Sequence, residues 1–538
     1  MASPLDSDSL AGLQGEIETF LRTLAHPIAR EGDGDLLDLT VHHWRIAVEF
    51  GKLLFEVWSP GHSLARRVEG IAYRDSGELG IFVRKPGAQT TSVLEFREDT
   101  DHGRCGADDG PPRDRAGFRQ AFTAMIEREF PGRRVERASN RSDREFSFSA
   151  WYTRGWARQG RTAWAFLGFG EGEAPAAADS VLAFGLIWLD WLRAHAPETV
   201  VSGLKLFVPP EAIEVIAHRA AYLDPRAANV ELLEWRWDGR RDGPGAEKPR
   251  QIDLDDYGNV QTRLTPRHQR DLLLGRHAGL TRELLGDLAG RVDVVPDARS
   301  NALSLRVLGL EVARIEGDLA PRVTFGLEGG ARRLEVGDEA NRDELREFLQ
   351  RVLAVRRAES DDPAHEIYRL QGERWLESLL VRDISRIDPA LSPECVYPQV
   401  PAFAGFDRGV IDILSVARDP HRGNRLAVIE LKVHEEINLP LQGLDYWLRV
   451  KWLLERRQFQ EFGYFPGLEL SSAPPLLYLV SPAFRFHSTT GCMIRYLSPA
   501  IEVIQVGINQ QWRSGIKVLF RRASTNPGSA GVSPAPSP

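Results

Sequence analysis

From residue 9 to residue 30 the apolar positions of SLAGLQGEIETFLRTLAHPIAR recur every three or four residues, the spacing of one helical face. The period then changes to two. Between residues 35 and 97, LLDLTVHHWRIAVEF, GKLLFEVW, ARRVEGIAYR, LGIFVRK and TSVLEFRE read as short strands separated by turn residues, which predicts a small antiparallel barrel or curled sheet. A polar linker rich in Asp, Gly and Pro follows at 99–115. Residues 118–237 predict a helix, a strand pair, a strand, a long helix, a strand, a helix and a strand. DGRRDGPGAEKPRQI at 238–252 reads as a second linker. Residues 253–357 mix helices with strands such as LSLRVLGLEVARI and close on the amphipathic RDELREFLQRVLAVRR.

A chain of 538 residues exceeds what a single core usually organises. The expected partition is an N-terminal helix (1–31), a β-rich barrel-like module (32–100), an α/β domain (118–237), a connecting α+β domain (253–357), a C-terminal α/β domain (358–522) and a disordered tail (523–538). The tail, ASTNPGSAGVSPAPSP, is uncharged and rich in Ser, Pro and Gly. The fold class is therefore multidomain α/β and α+β.

Charge changes this picture once it is divided along the chain. Residues 366–522 carry 19 basic against 17 acidic side chains, so the net charge of -8 belongs to the front of the molecule. The longest apolar stretch, SVLAFGLIWLDWL at 180–192, is too short for a membrane span and contains Asp190, so no membrane is expected. Cys105, Cys395 and Cys492 are isolated, which leaves neither a disulfide framework nor a zinc spacing. With no signal peptide in MASPLDSDSL, a reduced, cytoplasmic setting is expected.

The chemistry gathers in the C-terminal domain. A helix, EIYRLQGERWLESLLVRDISRI, carries Glu366, Glu373 and Glu377. A strand, RGVIDILSVAR, contains Asp412, and the apolar run LAVIELKVH is interrupted by Glu430 and Lys432. The helix LPLQGLDYWLRVKWLLER then presents Gln442 near its start. Side chains alternate across a strand, so Glu430 and Lys432 share one face. An acid and a base inside a buried strand cost several kcal/mol unless a cation or a paired charge compensates. Asp412 and Glu430 supply hard oxygen ligands suited to Mg2+ or Mn2+, and Lys432 is a point cation beside them. The plainer alternative is a structural Glu430–Lys432 ion pair with Asp412 capping a turn. Composition favours the metal site: the chain holds seven Lys against a large excess of Arg, and Lys432 alone has Glu two residues earlier.

The order Glu-bearing helix, GVIDIL, LAVIELK and LQGLDYW resembles the PD-(D/E)xK nuclease superfamily, and within it the NucS-like and RecB-like endonucleases. The resemblance covers about 155 residues, roughly 366–522. It implies a restriction-endonuclease-like mixed sheet flanked by helices, and a Mg2+- or Mn2+-dependent endonuclease cutting DNA in repair or in defence against foreign DNA. By motif, Asp412 and Glu430 would be metal ligands, Lys432 the catalytic lysine and Gln442 an orienting residue. Glu377 would be the helix acid and a third ligand, with Glu373 as the alternative. The Arg-rich segment between Asp412 and Glu430 departs from the family pattern, as do the front 350 or so residues, so mismatch specificity does not transfer. RNA as substrate and a catalytically inactive nucleic-acid-binding scaffold stay open as alternatives.

An internal repeat links residues 118–237 to the last domain. LKLFVPP (204–210) parallels LLYLVSP (476–482), and RAAYLDP (219–225) parallels MIRYLSP (493–499). AWAFLGFG parallels LAVIELK, placing Gly168 at Glu430 and Gly170 at Lys432, with Phe184 at Gln442. Residues 118–237 are thus expected to be a degenerate nuclease-like copy without metal ligands, favouring nicking or single-strand and flap cleavage over a paired cut. Other signals are weaker. GFGEGE at 168–173 lacks the lysine and third glycine of phosphate loops, and His42 and His43 face opposite sides of a strand. His434 shares the face of Lys432, and the basic set RVKWLLERR (449–457) is a candidate phosphate contact. Trp156, Trp164, Trp188 and Trp191 are expected in the core, and the N-terminal module is a candidate surface for a protein partner.

Overall fold

The computed structural model describes residues 7–24, 27–31, 36–39, 43–49, 52–59, 62–75, 77–84, 91–98, 115–140, 148–149, 151–171, 173, 175–237, 248–255, 262–297, 300–317, 320–327, 334–335, 339–363, 365–404 and 409–524. The linker at 99–114, most of the second linker (238–247), His42 and the tail at 525–538 lie outside the described residues. The described residues form a mixed α/β molecule with four sheets. Among them no helix is long and apolar enough to cross a membrane.

The helix Ser7–Thr23 buries Leu10, Ile17, Phe20 and Leu21 against a seven-stranded antiparallel sheet. The helical reading of 9–30 overran: Pro27–Glu31 is a strand, because proline cannot continue a helix. That strand pairs with Thr91–Glu98, the last of the module, so the sheet curls its first strand back onto its last.

Residues 115–251 and 372–523 use one architecture twice. In the front copy the strands Arg134–Ser139, Thr153–Gln159, Thr162–Gly168, Val200–Val208, Asn229–Glu234 and Arg250–Gln251 lie side by side in chain order. Their pairing runs antiparallel, antiparallel, parallel, parallel, antiparallel. In the rear copy Tyr397–Ala404, Val410–Asp419, Gly423–Leu431, Leu476–Pro482, Glu502–Ile508 and Val518–Ala523 repeat that order and those senses. A helix precedes each first strand (Arg115–Glu129; Gly372–Arg382), and a long one crosses after each third (Pro175–His195; Leu439–Glu455). A short helix follows each fourth strand (Ile213–Ala220; Thr490–Tyr496). Two boundaries move as a result: Arg250–Gln251, in the expected linker, is an edge strand, and Ala523 belongs to the last sheet.

Packing fixes the register between the copies. A Cβ on Gly185 would meet Leu204 and Leu206 at 2.8 and 2.9 Å, and one on Gly443 would meet Leu479 and Leu477 at 2.8 and 3.0 Å. Each long helix therefore rests on its sheet at a glycine, and Leu204 and Leu206 correspond to Leu477 and Leu479. The letter-by-letter alignment of LKLFVPP with LLYLVSP is one residue out, which reverses the face. Gly168 and Gly170 face Phe122 and Phe118 on the opposite side of the sheet. The residues standing in the places of Glu430 and Lys432 are Leu167 and Phe169.

The copies meet about an internal twofold. The backbone N–H of Asp224 donates to the Tyr496 carbonyl at 2.8 Å, and that of Ser498 donates to the Tyr222 carbonyl at 2.8 Å. Leu223 and Leu497 form an antiparallel bridge between these bonds. An arginine of each short helix reaches an aspartate on the other copy's long helix, Arg219 to Asp445 at 2.6 Å and Arg495 to Asp190 at 3.2 Å. At the other end of the contact the Asn438 amide donates to the Ser180 hydroxyl at 2.6 Å, and these two residues occupy equivalent positions, each five before the glycine on which its long helix rests. One apolar core runs through both copies, with Tyr222 edge-on to Trp447 at 5.8 Å.

The connecting segment divides between two units. Thr262–Leu264 pairs antiparallel with Tyr397–Ala404 and so extends the rear sheet, outside the connecting domain expected there. The remainder is a five-stranded antiparallel sheet with helices Arg267–Leu285 and Glu339–Val355. Its hairpin Ala302–Val307/Leu310–Glu316 turns at Leu308 and Gly309, with φ of 46° and 80°. Both positive values make a tight hairpin turn that glycine favours. A Cβ on Gly309 would lie 2.1 Å from the Arg374 carbonyl oxygen. Gly309→Ala is therefore expected to lower stability by about 1–3 kcal/mol and to loosen this hairpin from the rear copy. Urea unfolding and limited proteolysis check it, and an unchanged urea midpoint would count against so close a contact.

Candidate functional site

At the carboxyl end of Gly423–Leu431 the expected residues gather. The register Pro398–Ile413 and Val400–Ile411 places Gln399 across from Asp412, and Ile413–Ile429 places Asp412 across from Glu430. Three polar side chains thus form a row across three adjacent strands, flanked in the two inner strands by apolar Ile411, Ile413, Ile429 and Leu431. Asp412 accepts from the Leu431 backbone N–H at 3.0 Å, and the Lys432 N–H donates to the Val480 carbonyl at 3.0 Å. Lys432 lies 3.5 Å from Glu430 and 3.6 Å from Glu373.

The helix Gly372–Arg382 brings both of its acids to this end, to different partners. Glu373, half-exposed, faces Lys432. Glu377 is buried and accepts from Arg374 at 2.9 Å and from the Gln399 amide at 2.5 Å. Gln399 reaches it from a left-handed backbone, φ 52°, within its strand. The two acids expected as alternatives are therefore both present. Glu373 stands beside the lysine and Glu377 behind it, joined to the row through Gln399. Arg306 of the connecting sheet completes this rear layer: burial lowers its pKa, as does the Arg374 charge, while Glu377 works against them.

Burial dominates the electrostatics. Glu430 is 3% exposed, and one of its carboxylate oxygens, Oε2, has no hydrogen-bond partner among the described residues. Burial pushes its pKa well above the ordinary carboxylate range, and the Asp412 charge pushes it further. Asp412 is raised by the same burial against the pull of Lys432 and Arg374. For Lys432 burial works downward, yet Glu373, Glu430 and Asp412 together hold its ammonium above the ordinary lysine range. Two adjacent carboxylates that resist joint ionisation form a place where a proton or a cation is held. Among the described residues, however, no group of three acid, His or Cys side chains converges as metal ligands. A cation here would take Asp412 and Glu430 and complete its shell with solvent or substrate oxygens.

Glu377 offers a test of this electrostatics. Burial, working against Arg374, raises its pKa from 4.5 to about 7. The folded state then holds the proton more tightly, so stability from this group is full below pH 4.5 and is lost as pH rises through about 7. The swing is about 3 kcal/mol. In metal-free buffer wild type should weaken relative to Glu377→Gln between about pH 5 and pH 8. Parallel pH profiles of the urea midpoint would sink this assignment.

On the helix Leu439–Glu455, Gln442 has its amide oxygen buried without a hydrogen-bond partner among the described residues. Tyr446, one turn on, was not singled out in the sequence; burial raises its hydroxyl pKa first, then the charges of Glu430 and Asp412, which places it beside the acids. Arg449 of the basic set is buried, 5.7 Å from the Tyr446 ring, and Arg456 stacks on Trp452 at 3.9 Å. His434 is exposed. Trp156, Trp164 and Trp188 are core residues, as expected, and Trp191 packs against the core partly buried.

The equivalent place in the front copy has different chemistry. Arg154 pairs with Leu167 across the strands, as Asp412 sits across from Glu430. Arg154 is buried over the Phe148 ring at 4.2 Å, and Leu167, Phe169 and Phe184 are buried around it. A guanidinium among apolar side chains repels a cation and offers it no oxygen.

No protein-family model and no curated protein matches the chain.

Proposed function

We propose that the rear copy is a restriction-endonuclease-like domain that hydrolyses phosphodiester bonds in DNA with Mg2+ or Mn2+, as an endonuclease of repair or of defence against foreign DNA. The observation that carries this reading is the Asp412–Glu430 pair: two adjacent carboxylates whose ionisation burial opposes, one oxygen left without a partner, and a lysine 3.5 Å away. A divalent cation would neutralise the pair and use that oxygen, so the donor set fits a hard metal. When bound, such a cation lowers the pKa of water and stabilises charge on a phosphate.

The side chains have separate tasks in this reading. Asp412 and Glu430 hold the cation. Lys432, kept protonated by three carboxylates, offsets charge on the phosphate oxygens or positions the attacking water. Glu373 fixes the lysine's position. Glu377, engaged by Arg374 and Gln399, braces the row from behind. Gln442 and Tyr446 line the other wall, and the unsatisfied Gln442 amide oxygen is free to orient water or substrate.

Labelled single-stranded, duplex and branched DNA, incubated with Mg2+ or Mn2+, tests the proposal. Cleavage that chelation abolishes is the expected outcome. A chain that cuts nothing and binds no divalent metal would instead be a nucleic-acid-binding scaffold, with Glu430–Lys432 as a structural ion pair.

A further inference from the structure

The internal twofold says how a substrate would lie. The Ser180–Asn438 contact sits where each long helix begins, just beyond the carboxyl ends of Thr162–Gly168 and Gly423–Leu431. The Leu223–Leu497 bridge sits at the opposite end of the sheets, just before Asn229–Glu234 and Glu502–Ile508 begin. A twofold axis through both contacts runs from one end of the sheets to the other. The Asp412–Glu430–Lys432 position and its counterpart Arg154–Leu167–Phe169 both lie at the carboxyl ends. They therefore open at the same end of the molecule, one on each side of the axis.

The reciprocity of the contact makes this more than a resemblance of folds. Equivalent backbone groups exchange equivalent hydrogen bonds, Asp224 to Tyr496 and Ser498 to Tyr222. The ion pairs Arg219–Asp445 and Arg495–Asp190 each join the short helix of one copy to the long helix of the other, from different turns of those helices. A self-complementary contact of this kind is what a symmetric dimer uses, and here it is closed within one chain.

Duplex DNA has local twofold axes that relate its antiparallel strands. We infer that the chain binds a DNA duplex across this end, with its own axis along one of the duplex, and breaks only one of the two strands. This rests on the nuclease reading of the rear copy and adds the substrate form and the product to it. The strand over the rear copy meets Asp412, Glu430 and Lys432. Its partner meets Arg154, Leu167 and Phe169, which hold no cation, so its phosphodiester bonds stay intact. Each break hydrolyses one P–O bond, consuming one water and leaving one phosphate and one hydroxyl terminus. Because the contact that would recruit a second chain is already filled by the front copy, no second armed site is brought to the opposite strand.

Supercoiled plasmid incubated with the full chain and Mg2+ or Mn2+, over a range of protein concentrations, reads the product directly. Nicked circles should accumulate first, with linear molecules only after a lag, as independent nicks meet by chance. Linear molecules formed from the start, or in proportion to the square of protein concentration, would overturn the inference and leave the nuclease reading standing. Cleavage restricted to single-stranded oligonucleotides, with the plasmid untouched, would do the same. No cleavage of any DNA removes the nuclease reading and this inference with it. A hydroxyl-radical footprint of Glu430→Gln on a duplex with Ca2+ gives a readout independent of cutting. Protection on both strands is expected, and protection of one strand only would sink the twofold placement.

Discussion

Glu430→Gln is expected to make the protein more stable and, at the same time, nearly inactive. The substitution removes a carboxylate that is buried beside Asp412 and leaves an amide of the same shape. Relief of desolvation and like-charge repulsion should raise metal-free stability by about 1–3 kcal/mol at neutral pH. Loss of a ligand to the proposed cation should lower the cleavage rate by about a hundred- to a thousandfold. Lys432→Ala should lose cleavage by a similar factor while stability moves the other way. It takes the cation away from Glu430 at 3.5 Å and from half-exposed Glu373 at 3.6 Å, leaving the buried acids unopposed, which should cost about 1–3 kcal/mol. Cleavage rates together with urea midpoints in EDTA check both variants. Opposite stability shifts with a shared loss of cutting separate chemistry from unfolding. If Glu430→Gln cuts like wild type, the proposed ligand assignment fails.

The second large effect is expected at Arg356, far from any reacting atom. This guanidinium is 1% exposed, and among the described residues its hydrogen-bond acceptors are backbone carbonyls rather than carboxylates. It donates instead to the carbonyls of Val307 and Leu308 on the connecting hairpin at 2.9 and 2.8 Å, and to those of Ile367 and Leu370 at 2.8 and 2.7 Å. Its plane lies 4.5 Å from the Trp375 ring on the helix that carries Glu373 and Glu377. Burial, with Arg513 nearby, lowers its pKa to about 9. One side chain therefore fastens the connecting sheet, the approach to the acid helix and the helix itself. Arg356→Met should cost about 3–5 kcal/mol, because several buried carbonyls lose their donor together. Arg356→Lys should recover only part, since an ammonium lacks the planar fork that spans them. A urea midpoint within error of wild type for Arg356→Met would overturn this.

Much of the fold was legible in the sequence because it rests on period. The change from helical spacing to alternation before residue 35 follows the change from helix to strand in the N-terminal module, and the amphipathic 342–357 stretch falls within Glu339–Val355 and just beyond it. The acid row was legible too, since Asp412 and Glu430 interrupt apolar strand segments and Lys432 follows one residue past the end of the second. The ambiguity between Glu373 and Glu377 could not be lifted by spacing. The two sit one turn apart on one helix and differ only in what faces them, Lys432 for one and Gln399 for the other. Arg374 carried a faint signal, three residues before Glu377. Gln399 carried none, because its reach depends on a left-handed backbone that no pattern announces. The slip in the repeat has a similar cause. Apolar strands align almost equally well one residue apart by letters, whereas Gly185 and Gly443 against their leucines admit a single register.

The pairing of the two copies also has a consequence for biosynthesis. Ser180 and Asn438 are 258 residues apart, and the helix bearing Asn438 must be synthesised before the front copy has its partner. At about 5–20 residues per second, the ribosome takes roughly 13–50 s to deliver it. Throughout that interval the Pro175–His195 helix and Tyr222 present apolar surface that Trp447 and its neighbours will later cover. Truncation after the front copy should therefore yield aggregates rather than a soluble half.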